Sequence, residues 1–418
     1  MEAPLYNLIA SYATENRFHT PGHSGANVDN LLFKSANMDI TELSFSDNLH
    51  GSRGVILQAE KLLANAFKTK FSLMLTTGAT CGIQMAVFVC EGDIATFTLN
   101  HKSFYNAMQL FNKKVVAFDN LEQLLNCKNK TFSAVFVTRP NYFGEVFELE
   151  ALSKFCKKNG VLLIVDEAHG SHFVFSNLLP TSANLFADIV INSLHKTLPV
   201  LTGGACVNCN SQDIYQNLAN ARNLIHTTSP NYMIMASIDF ARAYIVDNAK
   251  IYKNILDFVT TLKAQYSAEY FSIIETADFT RFVIDTKEYD ANKIVSELEA
   301  QNFFVEMNTD SKIVLILTPF NYTKAEAFLR ALAQIKPQKT VSKQAVLQAK
   351  KGSLNGKKQF VNLEDCLGCV TLAPLGVYPP GVPIVEYGDI IDKEILQYLL
   401  KNKNKLFGLV NDKVCVLK

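Results

Sequence analysis

The segment VLLIVDEAHGSH (161–172) decides the fold class, because an uninterrupted apolar run ends in two acids and two histidines. An apolar run without polar alternation is typical of a strand buried on both faces of a parallel sheet. The preceding ELEALSKFCKKNG (148–160) has helical apolar spacing and ends in a glycine, a frequent helix terminator. A helix followed by a doubly buried strand is the repeating unit of an α/β fold.

The same alternation continues on both sides of this segment. Helix-like segments such as VILQAEKLLANAF (55–67) alternate with predicted buried strands at 71–77, 94–99, 115–118, 132–138, 161–167, 188–193 and 203–208. We therefore predict an α/β protein whose large domain holds a mainly parallel, seven-stranded sheet covered by helices on both faces. Near residue 234 the pattern changes to a long helical stretch and then to a smaller α+β unit.

A chain of 418 residues is longer than one hydrophobic core usually organises, so several domains are expected. We divide it into an N-terminal arm (1–45), a large domain (46–245), a small α/β domain (246–335) and a C-terminal domain (336–418). The last boundary falls in KPQKTVSK (336–343), whose composition is that of a linker.

Charge and composition exclude several classes of protein. The net charge is +1 and charged residues make up 19% of the chain, so the broad basic field that nucleic-acid binding needs is lacking. No apolar run reaches the ~18 residues of a membrane span. Residues 1–16 lack the pattern of a signal peptide. With nine scattered cysteines as well, we expect reduced thiols and a cytoplasmic protein that does not bind membranes.

Two CxxC pairs, Cys206/Cys209 and Cys366/Cys369, raise the alternative of a four-thiolate zinc site, in which all four sulfurs must converge. Cys206 and Cys209 lie in a predicted strand, where residues three apart point to opposite faces. We therefore expect buried or incidental thiols and no metal.

Asp166 is the first candidate functional residue. It ends the apolar strand in VDEAHGSH (165–172), and ligands of α/β sheets bind at the carboxyl ends of strands. An isolated acid in this place would more often cap a helix or face solvent. His169 and His172 follow closely, in a chain with eight histidines, which favours a functional site.

Lys196 is the second candidate, in NSLHKTL (192–198). A lone lysine is usually a solvated surface charge, but Ser193 and His195 beside this one can both donate to a phosphate. Lys196 follows Asp166 by one helix-and-strand unit, which predicts that the two lie at neighbouring strand ends. A lysine in such a pocket loses its proton more easily and becomes nucleophilic.

A third element is the strand–loop–helix segment TTGATCG (76–82). Backbone N–H groups at a helix N-terminus bind anions, and Gly78, Thr80 and Gly82 suit a phosphate cradle, although many tight turns share this pattern. His101 is a candidate to stack on a flat ring; the alternative is an exposed histidine at a helix start. A lysine, an acid, a phosphate cradle and a stacking ring together are what a pyridoxal-phosphate site requires.

These residues lie in a series of motifs that resembles the Orn/Lys/Arg decarboxylase family in its short form, a group of fold-type-I (aspartate-aminotransferase-like) pyridoxal-phosphate enzymes. The matching segments, in the family's order, are FHTPGHSG (18–25), SDNLHGSRGVILQAE (46–60), TTGATCGIQ (76–84), NHKS (100–103), PNYFG (140–144), VDEAHGSH (165–172), NSLHKTL (192–198), HTTSPNYMIMASID (226–239) and YPPGVP (378–383). They extend over most of the chain, and a chance match at all of them is implausible.

The resemblance implies a role for each candidate. Lys196 would carry the cofactor as a Schiff base, Asp166 would pair with its ring nitrogen, and His169 would lie near the ring hydroxyl. The residues implied in contacts with the phosphate and the ring face are Gly78, Ala79, Thr80, Ser193, His195 and, stacked on the ring, His101. The resemblance also implies a homodimer or higher homo-oligomer with shared active sites, with the TTSPNY loop (227–232) at the interface.

Three positions depart from the family's pattern. Ala79 stands where a hydroxyl residue is usual, so one phosphate contact is expected to be lost or made by the backbone. Ser24 replaces the lysine of PGHKG beside His23, and YGD (387–389) replaces the usual PGE. His23 and Asp389 are the candidates for contacts with the substrate.

We predict a pyridoxal-phosphate-dependent decarboxylase of a basic amino acid, with arginine favoured over lysine and ornithine and an amine for polyamine synthesis as product. Either His169 or Lys196 would protonate Cα. An aminotransferase or carbon–carbon lyase is the first alternative, but aminotransferases of this fold usually carry a late arginine for the substrate carboxylate, and Arg281 and Arg330 lie in segments that look structural. A non-catalytic binding protein would be free to lose Lys196 or Asp166, and both are present.

Overall fold

The computed structural model describes residues 2–12, 17, 19–21, 23–24, 35–128, 130–266, 270–337, 339, 349–352, 356–377 and 383–418. Within them the α-helices are α1 (Pro4–Ser11), α2 (Val55–Ala66), α3 (Gly78–Phe88), α4 (Lys102–Leu110), α5 (Leu121–Leu125), α6 (Glu150–Asn159), α7 (Leu194–Thr197), α8 (Gln212–Ile225), α9 (Tyr232–Asp247), α10 (Ile251–Gln265), α11 (Ala291–Glu299), α12 (Ala325–Gln334) and α13 (Lys393–Lys401).

The strands fall into three regions of the chain. The first region contains β1 (Phe71–Leu75), β2 (Asp93–Thr96), β3 (Val115–Ala117), β4 (Phe132–Thr138), β5 (Leu162–Asp166), β6 (Ile189–Asn192) and β7 (Ala205–Cys209). The second contains β8 (Ser272–Ile274), β9 (Arg281–Asp285), β10 (Met307–Asn308) and β11 (Lys312–Ile316). The third contains β12 (Lys350–Lys351), β13 (Lys358–Asn362), β14 (Val370–Thr371), β15 (Leu375–Val377), β16 (Pro383–Val385), β17 (Asp389–Ile390), β18 (Leu406–Phe407) and β19 (Lys413–Leu417).

The first region forms one seven-stranded sheet in the order β1-β7-β6-β5-β4-β2-β3. All seven predicted strands are present, and the mainly parallel α/β sheet is confirmed. The exception is β7, which runs antiparallel to both β6 and β1. Residues 193–204 connect β6 to β7 and contain only the four-residue helix α7, whereas the crossover between parallel neighbours is usually built on a full α-helix. This connection reverses the strand, which the apolar pattern did not reveal.

The sheet is buried on both faces, as its apolar runs predict. In β5, Ile164 packs in one core cluster while Leu163 and Val165 pack in another on the opposite face, and all three are at most 1% exposed. The helix before this strand, α6, buries Leu152 and Cys156 on the same side as Leu163. Burying an aliphatic side chain contributes roughly 1.5–3 kcal/mol, so these two layers hold the sheet together.

Helix α3 begins at Gly78, within the segment 76–82 that was predicted to lead from a strand through a loop into a helix. Gly82 instead lies inside the helix, where a Cβ atom would come within 2.8 Å of Val207 and 3.0 Å of Ile191. The absence of a side chain lets α3 lie directly on β6 and β7. This close approach fixes the N-terminus of α3 at the carboxyl edge of the sheet.

The second region also follows the prediction in outline. The long helical stretch is two helices, α9 and α10, because the chain turns at Asn248. The four strands form an antiparallel sheet in the order β10-β11-β9-β8, and β10 was not predicted. The division of the chain into four domains stays a prediction.

The third region forms a five-stranded sheet (β12-β17-β14-β19-β13) and a three-stranded sheet (β16-β15-β18). Its core contains Leu363, Ile395 and Val414. The third region contacts helix α4 of the first region, where the Lys102 Nζ atom lies 5.0 Å from the centre of the Phe407 ring. The predicted turn at 378–383 and linker at 336–343 lie almost entirely outside the described residues.

The cysteines do not converge. Cys206 and Cys209 lie on opposite faces of β7, in different core clusters, as the strand prediction requires. Cys366 and Cys369 lie in the core of the third region. Across the described ranges, no three His, Cys, Asp or Glu side chains are grouped so as to hold a metal ion. None of the described helices has the length and apolar character to cross a membrane.

Candidate active site

The carboxyl ends of two adjacent strands bring the two main candidates together. Strands β5 and β6 are parallel neighbours, with Asp166 paired with Ile191 in the register. Asp166 is the last residue of β5, and Lys196 lies in α7 directly after β6. Asp166 and Lys196 therefore lie at the ends of neighbouring strands, as the sequence predicted.

Lys196 contacts the first of the histidines that follow Asp166. Its Nζ atom lies 2.9 Å from His169 Nε2. The other ring nitrogen of His169, Nδ1, lies 3.1 Å from Nη2 of Arg281. Burial and the positive charges of Lys196 and Arg281 hold the pKa of His169 well below its usual range. His169 is therefore a neutral imidazole between two basic side chains.

The amine of Lys196 is also in a setting that favours its neutral form. Burial lowers the pKa of Lys196, and the nearby charges of Asp166 and Glu306 only partly oppose this effect. A neutral amine is the nucleophilic form of a lysine. Lys196 is thus prepared to form a covalent bond with a carbonyl compound.

Asp166 is 2% exposed. Within the described ranges, its carboxylate accepts one hydrogen bond, from the N–H of Ala168 at 3.0 Å. Burial raises the pKa of Asp166, and the charge of Lys196 opposes that rise. A buried carboxylate with little hydrogen bonding has unused capacity for a cationic N–H group. Asp166 is therefore not a helix cap or a surface acid.

The candidate phosphate cradle lies beside this pair. Gly78 has φ +79°, a left-handed conformation that glycine adopts freely, and its N–H donates to Gly203 O at 2.7 Å. His195 Nδ1 donates to the next carbonyl, Gly204 O, at 3.2 Å and lies 3.5 Å from Ser193 Oγ. The Gly203–Gly204 segment therefore joins the start of α3 to Ser193 and His195.

No side chain caps the N-terminus of α3. Its first-turn N–H groups have no partner inside the helix, and such groups bind anions. Ala79 is 9% exposed at this end. Thr80 is exposed on the same turn, in the position predicted for a phosphate ligand.

His101 starts a helix but is partly buried rather than exposed, and its stacking on a ring stays a prediction. It is the N-cap of α4, where its Nδ1 accepts from the N–H of Ser103 at 3.2 Å. Burial, together with the charges of Lys196 and Lys102, lowers the pKa of His101 to about 4. The ring is thus neutral and near enough to Lys196 to sense its charge.

The two predicted substrate residues have other contacts. His23 Nε2 lies 3.3 Å from Asp39 Oδ2. Asp389 Oδ2 accepts the N–H of Glu386 at 2.7 Å, so this carboxylate closes a turn. Glu386 itself reaches the hydroxyl of Tyr105 on α4, one turn after His101. Sequence reasoning did not single out Glu386 or Tyr105.

Arg281 is a site residue that the sequence interpretation missed. Its segment looked structural, but its guanidinium donates to both His169 Nδ1 and His169 O, at 3.1 and 2.9 Å. Arg281 opens the apolar strand β9 and is 1% exposed. A charged residue at the start of a buried strand was the available signal. Tyr142 completes this side, with its ring centre 4.8 Å from that of His169.

These residues fit pyridoxal phosphate. Asp166 offers a buried carboxylate for a protonated ring nitrogen, and Lys196 offers the aldehyde an amine whose pKa is lowered by burial. The uncapped start of α3, with Gly78 in a left-handed conformation, offers N–H donors for a phosphate. The seven-stranded sheet and this set of side chains place the protein in the class of fold-type-I pyridoxal-phosphate enzymes.

Comparison with known proteins shows which enzymes of this class the chain is similar to. Residues 113–312 match the family described as Orn/Lys/Arg decarboxylase, major domain. An arginine decarboxylase of Bacillus subtilis is 28% identical over 96% of this chain and 94% of its own length. These matches confirm the resemblance of the chain to the Orn/Lys/Arg decarboxylase family.

Solved structures share the fold. The constitutive lysine decarboxylase of E. coli superposes with a TM-score of 0.80 at 15% identity, covering all of this chain and 82% of that one. A serine palmitoyltransferase from S. paucimobilis, solved with bound PLP, has a TM-score of 0.55 at 18% identity and covers 70% of this chain and 81% of its own. Both likenesses concern the fold alone.

Proposed function

We propose that the protein is a pyridoxal-phosphate-dependent decarboxylase of a basic amino acid. The observation that carries the proposal is the contact between Lys196 Nζ and His169 Nε2 at 2.9 Å, beside the buried Asp166 on the adjacent strand. When bound, pyridoxal phosphate supplies an electron sink for the electron pair that remains on Cα after carbon dioxide leaves. The protein's own residues supply the rest.

Lys196 holds the cofactor in this proposal. Burial lowers the pKa of Lys196, which favours the neutral amine that forms the bond. Asp166 pairs with the ring nitrogen and keeps it protonated, because a buried carboxylate interacts strongly with a nearby cation. His101 would lie against the ring face, and the residues that would hold the phosphate are Gly78, Ala79, Thr80, Ser193 and His195.

The contacts of His169 favour Lys196 as the group that returns a proton to Cα. His169 has a strongly lowered pKa and stays neutral, so it lacks the readily released proton of an imidazolium. Lys196 remains able to take up and return a proton, because the charges of Asp166 and Glu306 oppose the lowering of its pKa by burial. His169 then orients Lys196 through the 2.9 Å contact.

Arginine is the proposed substrate, and its decarboxylated amine is a precursor of polyamines. Support comes from curated relatives named arginine decarboxylase, which are 24–28% identical over nearly the whole chain. His23 and Asp389 remain proposed substrate contacts. Glu386 joins them, because it reaches Tyr105 one turn beyond His101.

The test is a substrate panel on the purified holoenzyme and on Lys196→Ala. We expect carbon dioxide and the matching amine from arginine, lysine or ornithine, and no activity in the variant. The absorbance of the lysine-linked cofactor should be absent from Lys196→Ala. A variant that keeps this absorbance band would refute the assignment of Lys196, and activity on acidic or aromatic amino acids alone would refute the basic substrate.

Arg281 supports one alternative reaction on the same site. Aminotransferases of this fold hold the substrate carboxylate with a late arginine, and Arg281 lies against His169 rather than in a purely structural position. Keto-acid formation in place of carbon dioxide release in the same panel would support this alternative.

We also propose a homodimer with shared active sites. Leu224, 65% exposed, and the exposed residues 227–229 adjoin His226, which accepts the N–H of Thr76 beside the cradle. These exposed residues lie close enough to the cradle for a second subunit that covers them to reach the site. Lys196→Ala and a variant in 227–229 are each expected to be inactive alone, and mixing them should restore part of the activity through mixed dimers. If sedimentation shows a dimer but mixing restores no activity, the proposal that the two subunits share active sites is contradicted.

All nine cysteines are free thiols, which supports a cytoplasmic location.

A further inference from the structure

Arg281 is buried in a strand, and its guanidinium donates hydrogen bonds to one residue, His169. Its backbone lies in the antiparallel pair β9–β11, where it is paired with Ile316. Its side chain is 1% exposed. The two hydrogens of Nη2 reach His169 Nδ1 at 3.1 Å and His169 O at 2.9 Å. Two contacts from one nitrogen fix both the ring and the backbone of His169.

These contacts determine where the imidazole proton resides. A guanidinium nitrogen can only donate, so His169 Nδ1 must accept from Arg281. In a neutral imidazole the other nitrogen then carries the hydrogen, so His169 Nε2 donates. Its partner at 2.9 Å is Lys196 Nζ, which accepts only as a neutral amine. The position of Arg281 and the neutral state of Lys196 are therefore linked through the two sides of one ring.

The charge of Arg281 acts in the same direction. Its Nε and Nη1 atoms are buried and have no hydrogen-bond partner within the described residues. The nearby Asp278 uses its Oδ1 atom for His172 and Thr280. The guanidinium also interacts with the negative charges of Asp278 and Glu306, but its positive charge still lowers the pKa of Lys196 and disfavours the ammonium form.

Several other titratable groups surround His169 and Lys196. Around His169 the other titratable neighbours are Lys196, His101 and His172. Around Lys196 they include Asp166 and Glu306, whose negative charges favour the ammonium form and oppose Arg281.

The chain makes room for this arrangement at one glycine. Gly144, in the PNYFG motif (140–144), lies against the stem of Arg281, where a Cβ atom would be 2.7 Å from Arg281 Cβ. The same glycine accepts the N–H of Asp278 at 3.2 Å through its carbonyl oxygen. Arg281 is thereby directed toward His169.

We propose that Arg281 is a positioning residue that holds His169 in its Nε2–H tautomer and thereby keeps Lys196 a neutral nucleophile. This inference rests on the proposed function, since it concerns the same lysine and histidine. It differs from a role as a carboxylate-binding arginine, because Arg281 acts through His169 and not on the substrate.

The first test reads the tautomer directly. In the full-length protein labelled with 15N-histidine, the signals of His169 are assigned by their loss in His169→Gln. We expect the Nε2–H pattern in the wild type and a change toward Nδ1–H or a mixture in Arg281→Gln. The matched control is Arg330→Gln, which removes an exposed arginine paired with Glu326 and should leave the pattern unchanged. A wild-type His169 in the Nδ1–H form would overturn the proposal, whether or not any variant folds.

The second test measures the absorbance band of the lysine-linked cofactor in the holoenzyme as a function of pH. Removal of the Arg281 charge should raise the pKa at which this band changes by about one unit, and kcat should fall at least tenfold. Arg281→Lys keeps the charge, so its spectral pKa should stay near that of the wild type while kcat still falls. An unchanged spectral pKa and tautomer in Arg281→Gln would refute the proposal. Both readouts are independent of which amino acid reacts, so they remain valid if decarboxylation fails.

Discussion

Replacing Gly144 by alanine should damage both stability and activity, because the new methyl group meets Arg281. Gly144 has φ +80°, in the left-handed region. A Cβ atom built there lies 2.7 Å from Arg281 Cβ and 2.9 Å from Arg281 Cγ. These are the inner atoms of the side chain, so they cannot swing away without moving the guanidinium from His169.

The magnitude follows from two separate effects. An alanine in the left-handed region costs about 1–2 kcal/mol relative to glycine. Overpacking a rigid site adds about 1–3 kcal/mol, which gives a total of about 2–5 kcal/mol for Gly144→Ala. Gly160→Ala is the matched control, because Gly160 has φ +63° but nothing within 4 Å of the added atom. It should show only the conformational part, about 1–2 kcal/mol.

Urea unfolding of the two variants beside the wild type measures the free energies, and carbon dioxide release measures activity. We expect Gly144→Ala to lose more stability than Gly160→Ala and to lose activity as well, while Gly160→Ala keeps its activity. Equal stabilities and activities in the two variants would show that Arg281 adapts freely, and the packing argument would then be wrong.

Three further predictions concern buried polar groups. Burial raises the pKa of Glu167 to about 7, so the wild-type free energy of unfolding should fall as pH rises from about 4.5 to 7, by about 3 kcal/mol at about 1.4 kcal/mol per pKa unit. Glu167→Gln should lack this fall in a pH series of urea titrations, and an identical slope would contradict it. Asp166→Asn should lower kcat about 10²–10³-fold without destabilising the cofactor-free protein, because it removes a poorly hydrogen-bonded buried carboxylate; steady-state kinetics and the unfolding midpoint check both parts. Tyr105→Phe removes the hydroxyl that donates to Glu386, and a loss of about 1 kcal/mol should speed limited proteolysis of residues 383–418; an unchanged cleavage rate would argue against this contact as an anchor.

The sheet was predictable because its signal is local. Runs such as VLLIVD (161–166) have no polar alternation, and that property alone indicates strands buried on two faces. The direction of β7 was not predictable from its apolar residues, since it depends on the short connection through α7. Strand β10 has only two residues, too few for a recognisable period.

The sequence by itself determined which side chains are the main candidates for the site. Lys196, Asp166 and His169 lie in motifs beside apolar strands, and the order of those strands brings Lys196 and Asp166 to the same edge of the sheet. Only the tertiary structure decided the partners that come from distant segments. Arg281 is 112 residues from His169 along the chain, and Glu386 is 281 residues from Tyr105. No local period encodes such contacts, because they arise from packing between the sheets. The protonation of Lys196 depends on the contact between Arg281 and His169, because burial and neighbouring charge exist only in the folded chain.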